Sequence, residues 1–279
     1  MPVALLGAAE IRALAADLDV TPTKKLGQNF VVDANTVRKI VTAARVTPAD
    51  RVVEVGPGLG SLTLAILETG APVTAVEIDH RLAERLPATA AAHGVPDGAL
   101  TVVAEDALRV SELPGDPDVL VANLPYNVSV PVLLHFMEHF PTIQRGVVMV
   151  QAEVGERLAA PSGSKVYGAP SVKAAWYGTW RLAGTVSRQV FWPVPNVDSV
   201  LVGFERDTDA RGTEEERLRT FAIVDAAFQQ RRKMLRQALS GVLGGSSAAA
   251  SDVLARAGVA PTARGEELTI EDFVRIARA

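Results

Sequence analysis

From Arg51 onward the chain alternates short runs of β-branched and other apolar residues with segments of helical spacing. Runs that are apolar throughout are typical of strands buried on both faces of a parallel sheet, with helices covering those faces. The pattern therefore predicts an α/β fold with a Rossmann-like, mostly parallel sheet and helices on both faces. The expected strands are residues 52–55, 73–77, 100–104, 119–122, 146–150 and 199–204.

Helical spacing also appears before and after this alternating region. Asp33 is the expected N-cap of a helix over residues 34–45, and an earlier helix is expected over residues 7–18. We expect three parts: a helical N-terminal extension with a ligand-contacting loop (1–50), a catalytic domain (51–206) and a small all-helical C-terminal domain (207–279).

The chain has 279 residues and no cysteine, which excludes disulfides, thiolate nucleophiles and cysteine-based metal sites. No apolar run reaches the roughly 18–20 uncharged residues that cross a bilayer, so we expect a soluble cytoplasmic protein without a membrane partner. His135 and His139 are spaced like a metal-binding pair, but no third ligand accompanies them and no metal is expected.

The net charge of −4 argues mildly against a nucleic-acid partner, because phosphates bind to positively charged surfaces. The average hides a local patch, since Arg231, Arg232, Lys233 and Arg236 fall within six residues. We predict that these four lie on one helix. Arg232 and Arg236 would then repel each other at i,i+4 spacing unless an anionic partner neutralises them.

The segment Glu54-Val55-Gly56-Pro57-Gly58-Leu59-Gly60 ends the first strand of the predicted sheet and opens a helix. Glycines such as Gly56 and Gly58 let the backbone approach a ligand closely at a helix N-terminus. Glu77 follows the next strand, where a carboxylate can accept both ribose hydroxyls, and Asp106 follows the third, where it can accept from an adenine amino group. These positions predict a nucleoside-bearing cofactor, and NAD and S-adenosylmethionine both qualify at this point.

Asn123-Leu124-Pro125-Tyr126 ends the fourth strand and decides between the two cofactors. The Asn123 side-chain oxygen and the Leu124 carbonyl can accept the hydrogens of an exocyclic amine, which raises the electron density on a poorly nucleophilic nitrogen. Pro125 keeps that carbonyl oriented, and Tyr126 can stack on an extruded base. The tetrapeptide resembles the (N/D)-P-P-(Y/F) motif of methyltransferases that modify exocyclic amino nitrogens. This resemblance favours methyl transfer from S-adenosylmethionine, with S-adenosylhomocysteine as the product.

Five motifs in order resemble the small-subunit (16S) ribosomal RNA adenine N6-dimethyltransferases. They are Lys25-Leu26-Gly27-Gln28-Asn29-Phe30, Glu54–Gly60, Ser164-Lys165-Val166-Tyr167-Gly168, Phe191-Trp192-Pro193-Val194-Pro195-Asn196-Val197-Asp198-Ser199 and Phe228-Gln229-Gln230-Arg231-Arg232-Lys233. The resemblance implies a class I methyltransferase sheet with a helical, rRNA-contacting C-terminal domain. It also implies dimethylation of two adjacent adenosines near the 3′ end of 16S rRNA during small-subunit assembly.

The resemblance also implies roles for individual residues. Tyr126 and Phe191 would sandwich the target adenine beside the catalytic residues 123–125. Lys24 and Lys25, like the basic group at 231–236, are candidates for rRNA contact. Cofactor contacts are implied for Asn29, Val31 (where leucine is common), Gly56, Gly58, Glu77, Asp106 and Asn123.

Three alternatives stay open. An erythromycin-resistance-type enzyme, which methylates 23S rRNA, shares the Q-N-F, glycine-loop and N-x-P-Y elements. A non-catalytic ribosome assembly factor or RNA-binding protein could use the same fold. An NAD oxidoreductase is disfavoured, because the G-x-G-x-G spacing is unusual for it and Asn123–Tyr126 would have no role. Nothing in the sequence demands more than a monomer.

Overall fold

A computed structural model of the chain describes residues 3–20 and 29–279. These residues form two compact units: unit 1 comprises Met1–Gly155 and Arg181–Arg206, and unit 2 comprises Glu156–Trp180 and Asp207–Ala279. This division differs from the expected parts in two respects. Residues 1–50 belong to unit 1, and residues 156–180 join the C-terminal residues.

Nine strands run through the described residues. In chain order they are β1 (Phe30–Val31), β2 (Val52–Val55), β3 (Val73–Val76), β4 (Leu100–Val103), β5 (Val119–Asn123), β6 (Arg145–Gln151), β7 (Gly178–Val186), β8 (Phe191–Trp192) and β9 (Ser199–Arg206). Seven of them form one sheet in the order β4-β3-β2-β5-β6-β9-β7, and β1 pairs antiparallel with β8. The pairs among β2 to β6 are parallel, whereas β9 is antiparallel to β6.

Six helices belong wholly or mainly to unit 1. They are α1 (Ala8–Asp17), α2 (Ala34–Ala44), α3 (Ser61–Leu67), α4 (His80–Ala92), α5 (Ser129–His139) and α6 (Ala152–Leu158). The Asp33 side chain accepts a hydrogen bond from the Thr36 N–H at 2.7 Å, so the expected N-cap of α2 is confirmed. No helix among the described residues is both long enough and apolar enough to cross a membrane.

The core of unit 1 follows from strands that are apolar on both faces. Alternate residues such as Val52, Val119 and Val147 pack with the apolar sides of α2 and α3 in one cluster. Their neighbours in the strands, such as Val53 and Leu120, are equally buried. The predicted burial of both sheet faces is therefore confirmed, and the polar residues that remain collect where the strands end.

Three strands were not predicted, namely β1, β7 and β8. β7 contains polar residues and two glycines, which masks its strand pattern. The stretch from Phe191 to Asn196 contains two prolines, which disfavour regular strand structure. Its first two residues nevertheless form β8, because Phe191 pairs with Val31 and Trp192 with Phe30.

Unit 2 contains five helices: α7 (Ala169–Ala175), α8 (Glu214–Gln229), α9 (Leu235–Ala238), α10 (Ser247–Arg256) and α11 (Ile270–Arg278). The loop before α7 is bonded to the C-terminal residues. The Gly163 N–H donates to the Glu266 carbonyl at 2.7 Å, and the Tyr167 hydroxyl donates to the Leu268 carbonyl at 2.8 Å. These bonds explain why residues 156–180 group with the C-terminal part.

Candidate functional site

A cavity of about 240 Å³ opens at the carboxyl ends of β2, β3 and β5. This is the edge at which open α/β sheets bind ligands. Every cofactor residue expected from the sequence lies in its wall, namely Asn29, Val31, Gly56, Gly58, Glu77, Asp106 and Asn123. Pro125 lines the same cavity, so predicted cofactor residues and predicted catalytic residues lie together in it.

The loop after β2 can form only with glycine at its key positions. Gly56 and Gly58 have φ angles of +68° and +59°, in the left-handed region that side chains disfavour. A Cβ atom on Gly58 would also lie 2.9 Å from the ring of Phe30. The loop therefore leaves its backbone bare at the cavity wall, where a ligand can approach it.

Glu77 is buried at the end of β3 and is tied to the backbone through both oxygens. Its Oε2 atom accepts from the Gly58 N–H at 3.0 Å, and Oε1 accepts from the Asp79 N–H at 2.9 Å. Burial raises the pKa of Glu77 above its usual value despite these bonds. Each oxygen keeps a further lone pair, so the carboxylate can also accept from ligand hydroxyls.

Glu54 is a second acid in the cavity wall, and no role was predicted for it although it belongs to the glycine motif. It is 1% exposed, and its Oε2 atom has no hydrogen-bond partner among the described residues. Burial, with a smaller contribution from the charge of Glu77, raises the pKa of Glu54 to about 8. A carboxyl group inside an otherwise apolar strand was the sequence signal for this position.

Asp106 lies in the cavity wall after β4 and also caps a turn. Its Oδ1 atom accepts from the Leu108 N–H at 2.9 Å. This bond is compatible with ligand contact, because a carboxylate can accept several hydrogen bonds.

Asn123 ends β5 with its amide in a defined orientation. The Nδ2 atom donates to the Asn29 carbonyl at 3.0 Å, so the side-chain oxygen is the atom left to accept from a substrate amine. Leu124 is buried, and its N–H donates to the Met149 carbonyl at 3.1 Å. The strand end therefore holds the tetrapeptide through both backbone and side chain.

Tyr126 and Phe191 differ in accessibility. Tyr126 is half-buried, its hydroxyl lies 2.5 Å from the Ser199 Oγ atom, and burial raises its pKa. Phe191 is only 2% exposed, because β8 packs its ring into the core beside Val31. The ring of Phe191 is therefore buried in this arrangement, and the sandwich with Tyr126 stays a prediction.

The four basic residues at 231–236 do not share a helix, which corrects the sequence prediction. Helix α8 ends at Gln229 and α9 begins at Leu235, because the Leu235 and Arg236 N–H groups donate to the carbonyls of Ala263 and Pro261. The repulsion expected between Arg232 and Arg236 at helical spacing therefore does not apply.

Arg231 differs from its neighbours because its guanidinium is already engaged. Its Nε atom lies 2.7 Å from Glu266 Oε2, and its Nη2 atom donates to the Lys165 carbonyl at 2.7 Å. Arg232 and Lys233 are exposed, and Arg236 is half-buried. Lys24 and Lys25, the other predicted RNA contacts, lie outside the described residues.

Within the described part of the chain, no group of three or more acidic or histidine side chains is arranged to hold a metal ion. The cavity instead has the groups that bind an organic ligand, namely a glycine loop with exposed backbone, buried carboxyl groups and an oriented amide. A sheet of this order with such a cavity at its carboxyl edge defines a Rossmann-like class I methyltransferase.

The chain belongs to the ribosomal RNA adenine dimethylase family, whose sequence model matches residues 21–279. It is 68% identical to ribosomal RNA small subunit methyltransferase A of Leifsonia xyli, over 98% of each chain. It is 61% identical to the protein of that name from Streptomyces coelicolor, over 99% of this chain and 97% of the relative. The resemblance found in the motifs is thereby confirmed.

Two solved structures share the fold over most of their length. A dimethyladenosine transferase from Plasmodium falciparum has a TM-score of 0.75 at 25% identity, covering 88% of this chain and 94% of its own. The 23S rRNA methyltransferase ErmE has a TM-score of 0.66 at 26% identity, covering 90% and 98%. The predicted fold class is confirmed.

Proposed function

We propose that this protein transfers methyl groups from S-adenosylmethionine to the N6 atoms of two adjacent adenosines near the 3′ end of 16S rRNA. The product would be N6,N6-dimethyladenosine in the small ribosomal subunit or its precursor. The observation that carries the proposal is the single cavity shared by Glu77, Asp106 and Asn123. The names of the relatives, which refer to the small subunit, support the substrate.

The polar groups in the cavity wall fit S-adenosylmethionine. The carboxylate of Glu77 suits the ribose hydroxyls, and Asp106 suits the adenine amino group. The Oε2 atom of Glu54, which has no hydrogen-bond partner among the described residues, adds a polar atom to the cavity wall that a ligand can contact. When bound, S-adenosylmethionine supplies an electrophilic methyl group on a positively charged sulfur.

The target amine is oriented by the residues that follow β5. The Asn123 side-chain oxygen and the Leu124 carbonyl accept its two hydrogens, which directs the nitrogen lone pair away from both acceptors. Because the Asn123 amide is fixed by its bond to Asn29, this acceptor requires little reorganisation during the reaction. Positioning and fixed dipoles provide most of the rate enhancement.

Of the two aromatic residues predicted to hold the base, we propose Tyr126 as the stacking surface. Its ring is half-buried, whereas that of Phe191 lies in the core. A base held by one fixed ring requires no departure of Phe191 from its cluster.

For rRNA contact we propose the exposed Arg232 and Lys233, with Arg236 beside them. These side chains would bind phosphates and so position the enzyme without reading sequence. Arg231 is engaged within unit 2 and would support this segment. Action on ribosomal subunits implies a cytoplasmic location, and we propose that the protein acts as a monomer.

The alternative substrate is 23S rRNA, the RNA that the 23S rRNA methyltransferase ErmE modifies according to its name. The higher identity to the small-subunit relatives favours 16S rRNA. A non-catalytic binding role is disfavoured by the intact residues Glu77 and Asn123 in the cavity wall.

The test is methyl transfer from labelled S-adenosylmethionine to undermethylated small subunits, with large-subunit rRNA as the parallel substrate and mass spectrometry of the digested RNA. We expect N6,N6-dimethyladenosine in 16S rRNA alone, and no label with Asn123→Ala. Label only in 23S rRNA would instead identify the protein as an erythromycin-resistance-type methyltransferase. Cofactor binding without label in either RNA would favour the binding role.

A further inference from the structure

The hydroxyl groups of Tyr126 and Ser199 form a short hydrogen bond of 2.5 Å between residues far apart in the sequence. Either hydroxyl can be the donor. Ser199 is the first residue of β9 and is 1% exposed. The bond therefore joins the tetrapeptide after β5 to a buried position on a different strand.

Ser199 is a rigid anchor because its backbone is held by the sheet. It lies opposite Gln151 in the antiparallel β6–β9 pair, and that pairing continues to Glu205. The carbonyl of the preceding residue, Asp198, accepts from the Ala152 N–H at 2.9 Å. The Ser199 hydroxyl consequently has little freedom to move relative to β6.

Tyr126 is the member of this pair that needs an anchor. It follows Pro125 in a turn after the strand, and its ring is only half-buried, so the surrounding core does not fix it completely. A tyrosine side chain held at its Cβ by the backbone and at its hydroxyl by a second strand keeps one χ1 rotamer, so its ring stays in one place.

We propose that Ser199 is a positioning residue for the methyl-transfer reaction, which holds the Tyr126 side chain in the χ1 rotamer that places its ring beside the target base. This inference rests on the proposed function, in which Tyr126 contacts the base. Without the Ser199 hydroxyl, the tyrosine hydroxyl would lose its partner in a largely buried place, and the ring would turn toward water. Misplacement of the base would lower kcat, because rate depends strongly on alignment.

The test is a double-variant cycle of Ser199→Ala and Tyr126→Phe, assayed on undermethylated small subunits. Each single variant removes one hydroxyl of the same bond and should lower kcat by about tenfold. The double variant should also lose about tenfold rather than about a hundredfold, because the second change removes nothing more. The Kd for S-adenosylmethionine should stay within about twofold of wild type, since neither side chain lines the cavity.

Thr74→Val is the matched control for deleting a bonded hydroxyl from a strand of unit 1. Thr74 Oγ1 donates to the Pro114 carbonyl at 3.1 Å. This control should lower the melting temperature without lowering kcat. Tyr126→Phe retains the aromatic ring, so it tests the bond even if Ser199→Ala fails to fold.

Four outcomes contradict the positioning role of Ser199 or the function on which it rests. Wild-type kcat in Ser199→Ala overturns the inference, as do losses that multiply in the double variant. Equal losses in kcat and in cofactor affinity would show a general structural defect and overturn it as well. If the wild-type enzyme methylates neither small subunits nor 23S rRNA, the proposed function fails before the cycle begins.

Discussion

The backbone N–H of Gly58 donates to Oε2 of Glu77 across 3.0 Å, which joins the glycine loop to the end of β3. Glu77 therefore shapes the cavity wall and offers acceptors to a ligand at the same time. Because Glu77 accepts the hydrogen bond from the Gly58 N–H, the glycine loop is held in place in the cofactor-free protein.

Replacing Glu77 by alanine should weaken S-adenosylmethionine binding by about 1.5–3 kcal/mol, the range for hydrogen bonds to a charged group. The loss combines the ribose contacts with a less ordered loop. Titration calorimetry measures it directly, and Glu68→Ala, which removes an ion pair with Arg38 away from the cavity, is the control. Unchanged affinity in the Glu77 variant would remove this residue from the ribose site.

Glu54 should make the stability of the cofactor-free protein depend on pH. Its folded-state pKa is raised from 4.5 to about 8, so its favourable contribution is fully present below about pH 4.5 and is lost as pH rises through about 8. The melting temperature of wild type should therefore fall relative to Glu54→Gln between about pH 5 and about pH 9. A difference in melting temperature between the two proteins that stays constant from about pH 5 to about pH 9 would contradict a raised pKa for Glu54.

Asn123→Ala should lower kcat by at least about a hundredfold, comparable to removing one preorganised catalytic dipole. Asn123→Asp should also be impaired, because it replaces the donor to the Asn29 carbonyl by a second acceptor. Single-turnover rates on small subunits measure both effects. Asn35→Ala, a change at an exposed position on α2, is the control; near-normal rates in Asn123→Ala would refute the mechanism.

Arg231 and Arg232 should behave differently despite being neighbours. Arg232→Ala should raise KM for small subunits and reduce the slope of log KM against log salt by about 1, as expected for one lost phosphate contact. Arg231→Ala should instead lower the melting temperature, because it breaks the bonds to Glu266 and Lys165. Equal salt slopes for the two variants would show that the exposed side chain is not the phosphate contact.

The sequence was sufficient for features that depend on local pattern. The central strands are continuous apolar runs. Asp33 caps a helix by accepting a hydrogen bond from Thr36, three residues later. Glu77 and Asp106 follow strands whose carboxyl ends lie at the same edge of a parallel sheet. Each of these signals is contained within a few residues, so no knowledge of distant pairing was needed.

Features that depend on distant pairing could not be predicted. Phe191 is buried because β8 pairs with β1, and the hydroxyl of Tyr126 meets Ser199 only after β9 enters the sheet. The helix expected at 231–236 is interrupted by bonds to Pro261 and Ala263, which lie in a later part of the chain. The spacing of apolar residues along a helix does not indicate hydrogen bonds to distant residues such as these.

The position of β9 between β6 and β7 has a consequence for biosynthesis. The strand that fills the sheet is the last of the nine to leave the ribosome, so the edge of β6 must wait unpaired while the intervening chain is made. A nascent chain halted before Ser199 would present an open, apolar strand edge and an untethered Tyr126. Residues 199–206 must therefore leave the ribosome before β9 can pair with β6 and before Ser199 can bond to Tyr126.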